Sequence, residues 1–254
     1  MLILVDVGNT NTIFGVYQGE ELIESFRLST DTERTADEYG ALLLPLFAMR
    51  GSDPASAEAV VISSVVPPLR LTLERLSARY FGRKPLFIEP GVRTGMPLRY
   101  DNPAEVGADR IVNAVAARER YGSPVVVVDF GTATTFDVVN AAGEYAGGII
   151  APGITISAEA LFAHASRLYR VDVRKPSELV GKNTVSAMQA GIYYGYIGLV
   201  DGILERLTVE LPDIKGIVAT GGQAPLIASG SKYIREVDPD LTLTGLKLIY
   251  ERNR

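Results

Sequence analysis

The 254-residue chain has no cysteine, no tryptophan and a single histidine, His164. Each absence removes a class of chemistry. Without cysteine there are no disulfides, no thiol nucleophile and no thiolate-held metal. One histidine cannot build a multi-histidine zinc site, and Ser-His-Asp catalysis would rest wholly on His164. That residue stands in Leu161-Phe-Ala-His-Ala-Ser166, apart from any nucleophile motif, and reads as a surface or packing residue. No apolar run approaches the roughly 18 residues of a membrane span. Met1 leads directly into a strand pattern, with no basic segment, apolar signal core or cleavage site, so a cytoplasmic protein is expected. The 25 basic and 30 acidic residues leave a net charge of −5, and the basic ones are scattered. That is not the clustered cationic face of a nucleic-acid binder. The P-loop signature Gly-x-x-x-x-Gly-Lys-[Ser/Thr] and the dinucleotide fingerprint are missing as well.

What the chain does have is a turn that occurs twice. Asp6-Val-Gly-Asn-Thr-Asn11 follows the apolar run Leu2–Val5, and Asp129-Phe-Gly-Thr-Ala-Thr134 follows Val125–Val128. Each reads as a buried strand ending in a carboxylate, a glycine and hydroxyl or amide side chains, then a second extended segment. An Asp can hold a hydrated divalent cation, the glycine lets backbone approach a phosphate, and Thr and Asn can hydrogen-bond phosphate oxygens. Either turn alone is a common strand ending. Two copies, each before a β-hairpin, point to a nucleoside triphosphate clamped from both sides.

The surrounding periodicities repeat with the turn. Strands are expected at Leu2–Val7, Thr12–Tyr17 and Glu21–Leu28, with a hairpin turn at Gln18-Gly-Glu20. Thr35 and Glu38 form a capping box before a helical stripe of Tyr39, Leu42, Leu43, Leu46 and Phe47, interrupted by Pro45. A strand at Ala59–Val65, a helix at Leu69–Tyr80 and a strand at Pro85–Ile88 follow. Glu89–Asn102 has no period and reads as a functional loop. After a helix at Glu105–Tyr121 come strands from 125, from Thr134 and from Glu144. A long helix over Val185–Leu211, a strand at Gly216–Thr220, a short helix, a strand near Tyr233–Val237 and a C-terminal helix close the chain. A βββαβ plan used twice implies two α/β domains, 1–121 and 122–254, around a nucleotide cleft.

Two further segments carry chemistry. Thr220-Gly-Gly222 ends a strand in two glycines, which suits a base and ribose lying against backbone, although a plain strand-to-helix turn has the same form. Gly107-Ala-Asp-Arg110 opens a helix, where an Asp is stabilised by the dipole. Phosphoryl transfer to an alcohol also profits from one carboxylate facing the hydroxyl and one cation near the transferring charge. Asp109 and Arg110 supply both types side by side.

Taken in order and spacing, Asp6–Asn11, Gly107–Arg110, Asp129–Thr134, Gly147-Gly-Ile-Ile-Ala-Pro-Gly153 and Thr220–Gly222 resemble type III pantothenate kinase over essentially the whole chain. The resemblance implies an actin- and ribonuclease-H-like duplicated fold of the acetate/sugar kinase, Hsp70 and actin superfamily. It implies ATP-dependent phosphorylation of pantothenate to 4′-phosphopantothenate, the first step of coenzyme A synthesis, by a homodimer that uses Mg²⁺ and K⁺ or NH₄⁺. By the same resemblance Asp6, Val7, Gly8, Asn9, Thr10, Asn11, Thr12 and Ile13 hold ATP phosphates, with Asp6 at Mg²⁺. Thr132 contacts ATP, Asp129 sits at the monovalent cation, and Asp109 is the base. Tyr100, Gly107, Ala108, Arg110 and Thr184 bind pantothenate. ATP and pantothenate are the partners expected, and neither nucleic acid nor membrane. The competing readings are a non-catalytic ATP-binding regulator of the same fold and an exopolyphosphatase-type phosphatase. The first would be expected to lose Asp109 or Arg110, and the second leaves the pantothenate set without purpose. The glycines at 191, 195, 198 and 202 suit close helix packing, either within the second domain or against another copy of the chain.

Overall fold

Residues 1–165 and 168–254 are described by a computed structural model. The chain divides into two compact units, one of residues 1–95, 102–116 and 242–254, the other of residues 96–101 and 117–241. In the first unit, β1 (Leu2–Val7), β2 (Asn11–Gln18) and β3 (Glu21–Ser29) form an antiparallel meander. Next come α1 (Ala36–Met49), β4 (Ala59–Ser64), α2 (Arg70–Tyr80), β5 (Leu86–Phe87) and the start of α3 (Ala108–Tyr121). The sheet order is β3-β2-β1-β4-β5, with β1 and β4 parallel. β1 is therefore paired on both sides and covered on both faces, which is why Leu2–Val5 reads as a continuous apolar run.

The capping box forms as expected. The Thr35 amide donates to Glu38 Oε2 at 2.8 Å, and the Glu38 amide donates to Thr35 Oγ1 at 3.3 Å. Pro45 does not break α1, which runs unbroken to Met49. Ala41, whose carbonyl loses its helical donor to Pro45, lies on the exposed face where water can replace it. Tyr39, Leu43 and Phe47 are buried as the stripe predicted, whereas Leu42 is 44% exposed. Phe47 joins Phe26 and Phe81 at ring-centroid distances of 5.3 and 6.1 Å to form the core under this sheet.

The second unit repeats the plan with β6 (Val125–Phe130), β7 (Ala133–Val139) and β8 (Tyr145–Pro152). These lead to α4 (Ile154–His164), α5 (Thr184–Glu210), β9 (Gly216–Thr220), α6 (Ala224–Ala228) and β10 (Glu236–Val237). Its order, β10-β9-β6-β7-β8, is the same connectivity read from the other edge. Helix α4 has no counterpart among the expected elements. Only Ile154 and Ala158 on it are buried, while Ile156, Leu161 and Phe162 are exposed, so the segment displays no apolar period. His164 lies exposed in its last turn.

The C-terminal helix α7 (Leu241–Glu251) packs on the first unit through close glycine contacts. A methyl group at Gly15 would come within 2.7 Å of Leu243 Cδ1, and one at Gly245 within 2.1 Å of the Val112 carbonyl oxygen. The buried Lys247 ammonium donates to Glu20 and Glu251 at 2.7 and 2.6 Å. Among the described residues, no helix is long and apolar enough to cross a membrane.

The Gly245 contact is against backbone and cannot relax by a rotamer change. Gly245→Ala should therefore destabilise the protein by about 1–3 kcal/mol, the usual cost of overpacking, read as a lowered midpoint in denaturant unfolding.

Candidate active site

Asp6 is the penultimate residue of β1 and half-buried, the first polar side chain after four buried apolar ones. The turn that follows is tied by the Gly8 amide, which donates to the Asn11 carbonyl at 3.0 Å, and it leaves Asn9 and Thr10 exposed. Thr30, just past β3, holds this turn from outside the motif. Its amide donates to the Thr10 carbonyl at 2.9 Å and its hydroxyl to the Gly8 carbonyl at 2.7 Å. Val7 and Thr12 are fully buried, so Val7 can offer a ligand only backbone. The Thr12 hydroxyl lies 2.9 Å from that of Thr30. Asn11 and Ile13 are half-buried at the start of β2.

Asp109 reaches the same end of the sheet. Val7 pairs with Ser64, and the next amide, Val65, donates to the Val7 carbonyl at 3.1 Å. A methyl group at Gly107 would lie 3.6 Å from Val65 Cγ1 and 2.6 Å from Asp109 Oδ1. Asp109 thus folds over bare backbone beside the carboxyl ends of the parallel strands β1 and β4, where open α/β sheets take their ligands. Ala108 is the first residue of α3 and half-buried; Arg110 is 8% exposed. The Arg110 amide donates to Asp109 Oδ1 at 2.8 Å. Burial pushes the Asp109 carboxyl above the usual carboxylate range, and the amide and charge of Arg110 oppose this in part.

In the second unit, Asp129 occupies the matching place on β6, paired with Thr220 of β9. Its carboxylate lies against the glycine turn. Gly221 has φ +91°, and a methyl group there would meet Asp129 Oδ1 and the Phe130 carbonyl, both at 2.6 Å. The endings of β6 and β9 are therefore in contact, over a cradle that only glycine leaves open. Gly131 and Thr132 are exposed, and the Thr132 carbonyl accepts from the Gly153 amide at 3.1 Å. A methyl group at Gly153 would fall 2.1 Å from that carbonyl, which accounts for the glycine closing Gly147–Gly153.

Tyr100 and Thr184 also belong to this second unit. The Tyr100 ring sits 3.7 Å from the methyl position of Gly147 and 6.3 Å from the ring of Tyr145. Tyr145 is fully buried, donates to Asp137 Oδ1 at 2.8 Å, and ties residues 97 and 99 to β8 through its backbone. Thr184 is the exposed first residue of α5, next to Asn183, which caps the helix by accepting from the Ser186 amide at 2.9 Å. A cavity of about 430 Å³ lined by Gly181, Lys182, Asn183 and Ser186 adjoins it. Another cavity of about 780 Å³, by Arg70, Phe87 and Glu89, involves none of the motif residues.

Among the described residues, no three His, Asp or Glu side chains gather into an all-protein metal cage. A single half-buried carboxylate such as Asp6 suits a hard cation that takes its other ligands from phosphate and water. Thr30 and Tyr145 were not legible from the sequence, because Thr30 acts on Gly8 and Thr10 and Tyr145 on residues 97 and 99, all distant in the chain.

The sequence model of the type III pantothenate kinase family matches residues 2–206. The type III pantothenate kinase of Geobacter sulfurreducens is 58% identical over 254 residues, covering 100% of both chains. Among solved structures, the activator of 2-hydroxyisocaproyl-CoA dehydratase from Clostridium difficile, with bound ADPNP, has a TM-score of 0.56. It is 13% identical and the match covers 99% of this chain and 95% of that one. The polyphosphate/ATP-glucomannokinase of Arthrobacter sp. strain KM has a TM-score of 0.50 at 14% identity, covering 100% and 99%. These likenesses show the fold, two duplicated α/β sheets of the actin-like kinase type. With the family model spanning most of the chain and a relative this similar end to end, the chain belongs to the type III pantothenate kinase family, enzymes of coenzyme A biosynthesis.

Proposed function

We propose that this chain transfers the γ-phosphoryl group of ATP to the pantothenate hydroxyl, with Asp109 as the base. The observation that carries this reading is the seat of Asp109 on Gly107, at the strand ends where the Asp6 turn also lies. In the transfer the hydroxyl oxygen bonds to the γ-phosphorus, the bond to the ADP oxygen breaks, and the hydroxyl proton passes to the Asp109 carboxylate. A raised pKa improves that carboxylate as a proton acceptor near neutral pH, because Brønsted efficiency rises as the base approaches the working pH. Arg110 next to it adds positive charge where negative charge accumulates.

The exposed turn residues Asn9, Thr10 and Thr132 would meet nucleotide phosphates, with Asp6, Val7, Gly8, Asn11, Thr12 and Ile13 shaping the first turn. Asp6 would hold Mg²⁺ and Asp129, in its glycine cradle, a K⁺ or NH₄⁺ ion; bound, the cations neutralise phosphate charge. Tyr100, Gly107, Ala108, Arg110 and Thr184 are assigned to pantothenate on the family resemblance.

A homodimer is part of this proposal. Among the described residues, methyl groups at Gly191, Gly195 and Gly198 of α5 would meet nothing within 4 Å, so these glycines are not packed against that part of the chain. Ile150, Phe162, Leu179 and Tyr194 of the same unit also expose apolar surface. A second copy of the chain covers these groups.

Asp109→Asn should lower kcat by about two to four powers of ten while ATP affinity changes little, measured by coupled assay and calorimetry. ATP binding by wild type without pantothenate turnover would instead favour a regulator. The folded-state pKa of Asp109 lies above its unfolded value, so its contribution to stability is full at low pH and is lost as pH rises through the raised value. Asp109→Asn should therefore raise Tm at pH 7–8, and the gain should vanish below about pH 4, near the unperturbed carboxylate pKa. Turnover should require K⁺ or NH₄⁺ over Na⁺, and Asp129→Ala should abolish that preference. Gly195→Leu should leave the fold intact and shift sedimentation from dimer to monomer; an unchanged dimer would move the interface elsewhere.

A further inference from the structure

The two turns are similar in sequence but differ in length. Val7 pairs with Thr12 across the first hairpin, whereas Phe130 pairs with Thr134 across the second, so the first turn is one residue longer. This register makes Thr12 and Thr134 equivalent, and both are fully buried. Each hydroxyl starts a short chain of hydrogen bonds. A hydroxyl has one proton to donate. Since that of Thr30 goes to the Gly8 carbonyl, Thr12 donates to Thr30. Tyr196 of α5 donates to the Pro152 carbonyl at 3.0 Å, so Thr134 donates to Tyr196.

The third strands are equivalent too. Asn11 pairs with Ser29 and Ala133 with Pro152, so Thr30 matches Gly153. Both supply an amide to the turn, to Thr10 and Thr132 respectively. The difference lies in the side chain. Thr30 carries its own hydroxyl, but at Gly153 a methyl group would already lie 2.1 Å from the Thr132 carbonyl, so no side chain fits. The hydroxyl that receives Thr134 comes instead from Tyr196, and it ends on the Pro152 carbonyl, one residue before Gly153 and outside the turn itself.

From this geometry we infer that Thr30 and Tyr196, outside every motif, are positioning residues: Thr30 latches the first turn directly through the Gly8 carbonyl, and Tyr196 latches the strand ends that carry the second turn, through Thr134 and the Pro152 carbonyl. Neither has to touch a ligand; each fixes carbonyls so that the adjoining turn residues stay in place. Their effect on catalysis rests on the proposal that the turns bind ATP, but the latches themselves do not.

The test compares Thr30→Val, Thr30→Ser and Tyr196→Phe with wild type, by hydrogen exchange in peptides covering each turn and by KM for ATP and for pantothenate. Thr30→Val should speed exchange in the first turn only. It should raise KM for ATP about 3–10-fold, the scale of one hydrogen bond, without changing KM for pantothenate. Thr30→Ser should restore wild-type behaviour, and Tyr196→Phe should loosen the second turn only. If Tyr196→Phe lowers Tm by leaving Thr134 unsatisfied, the double variant with Thr134→Val removes both hydroxyls and reads the same exchange. Unchanged turn exchange in Thr30→Val, or failure of Thr30→Ser to rescue, overturns the latch. Faster exchange in a protein that binds no ATP would uphold the latch and overturn the nucleotide reading.

Discussion

Each sheet is organised around one strand that is paired on both sides and covered on both faces. β1 lies between β2 and β4, and β6 between β7 and β9. Such a strand cannot hold a charged side chain until it reaches the end of the sheet, because burying an unpaired carboxylate is too costly. Asp6 and Asp129 stand at that limit, half-exposed after four buried residues. The turns, the latches and the glycine contacts all depend on where these two central strands run out.

At those ends, space is made by leaving out side chains. Gly107 accommodates Asp109, Gly221 accommodates Asp129, and Gly153 allows β8 to close on the Thr132 carbonyl. Close packing of a carboxylate onto backbone has an electrostatic consequence, seen in the upward pKa shift of Asp109. The fold accepts a partly desolvated carboxylate there, at some cost in stability when it is ionised. A fully solvated Asp would be easier to fold around and, on the proposed mechanism, a poorer base.

The duplicated units anchor their equivalent threonines, Thr12 and Thr134, by different means. In the first unit one residue, Thr30, provides both amide and hydroxyl. In the second the two groups come from Gly153 and from Tyr196 on α5. The second turn is thereby tied to the helix that begins at Thr184 and carries the unpacked glycines at 191, 195 and 198.

Much of this was legible before the structure. The doubled turn, the βββαβ repeat, the Thr35–Glu38 cap and the Asp109-Arg110 pair are local patterns, and local patterns are set by backbone preference, burial period and neighbouring side chains. The family likeness was carried by the same short motifs. What remained hidden depends on residues far apart in the chain. Helix α4 showed no period because it buries few residues, and Thr30 and Tyr196 look like ordinary strand-end and helix residues until the sheets bring them to the turns. The sequence by itself determined the strands, their endings and the types of chemical group available there. Only the tertiary structure decided the one-residue difference between the turns, the return of α7 to the first unit, the contact of Asp129 with Gly221 and the burial that raises the pKa of Asp109. Pairing register, close packing and desolvation are properties of assembled elements, and no short stretch of sequence contains them.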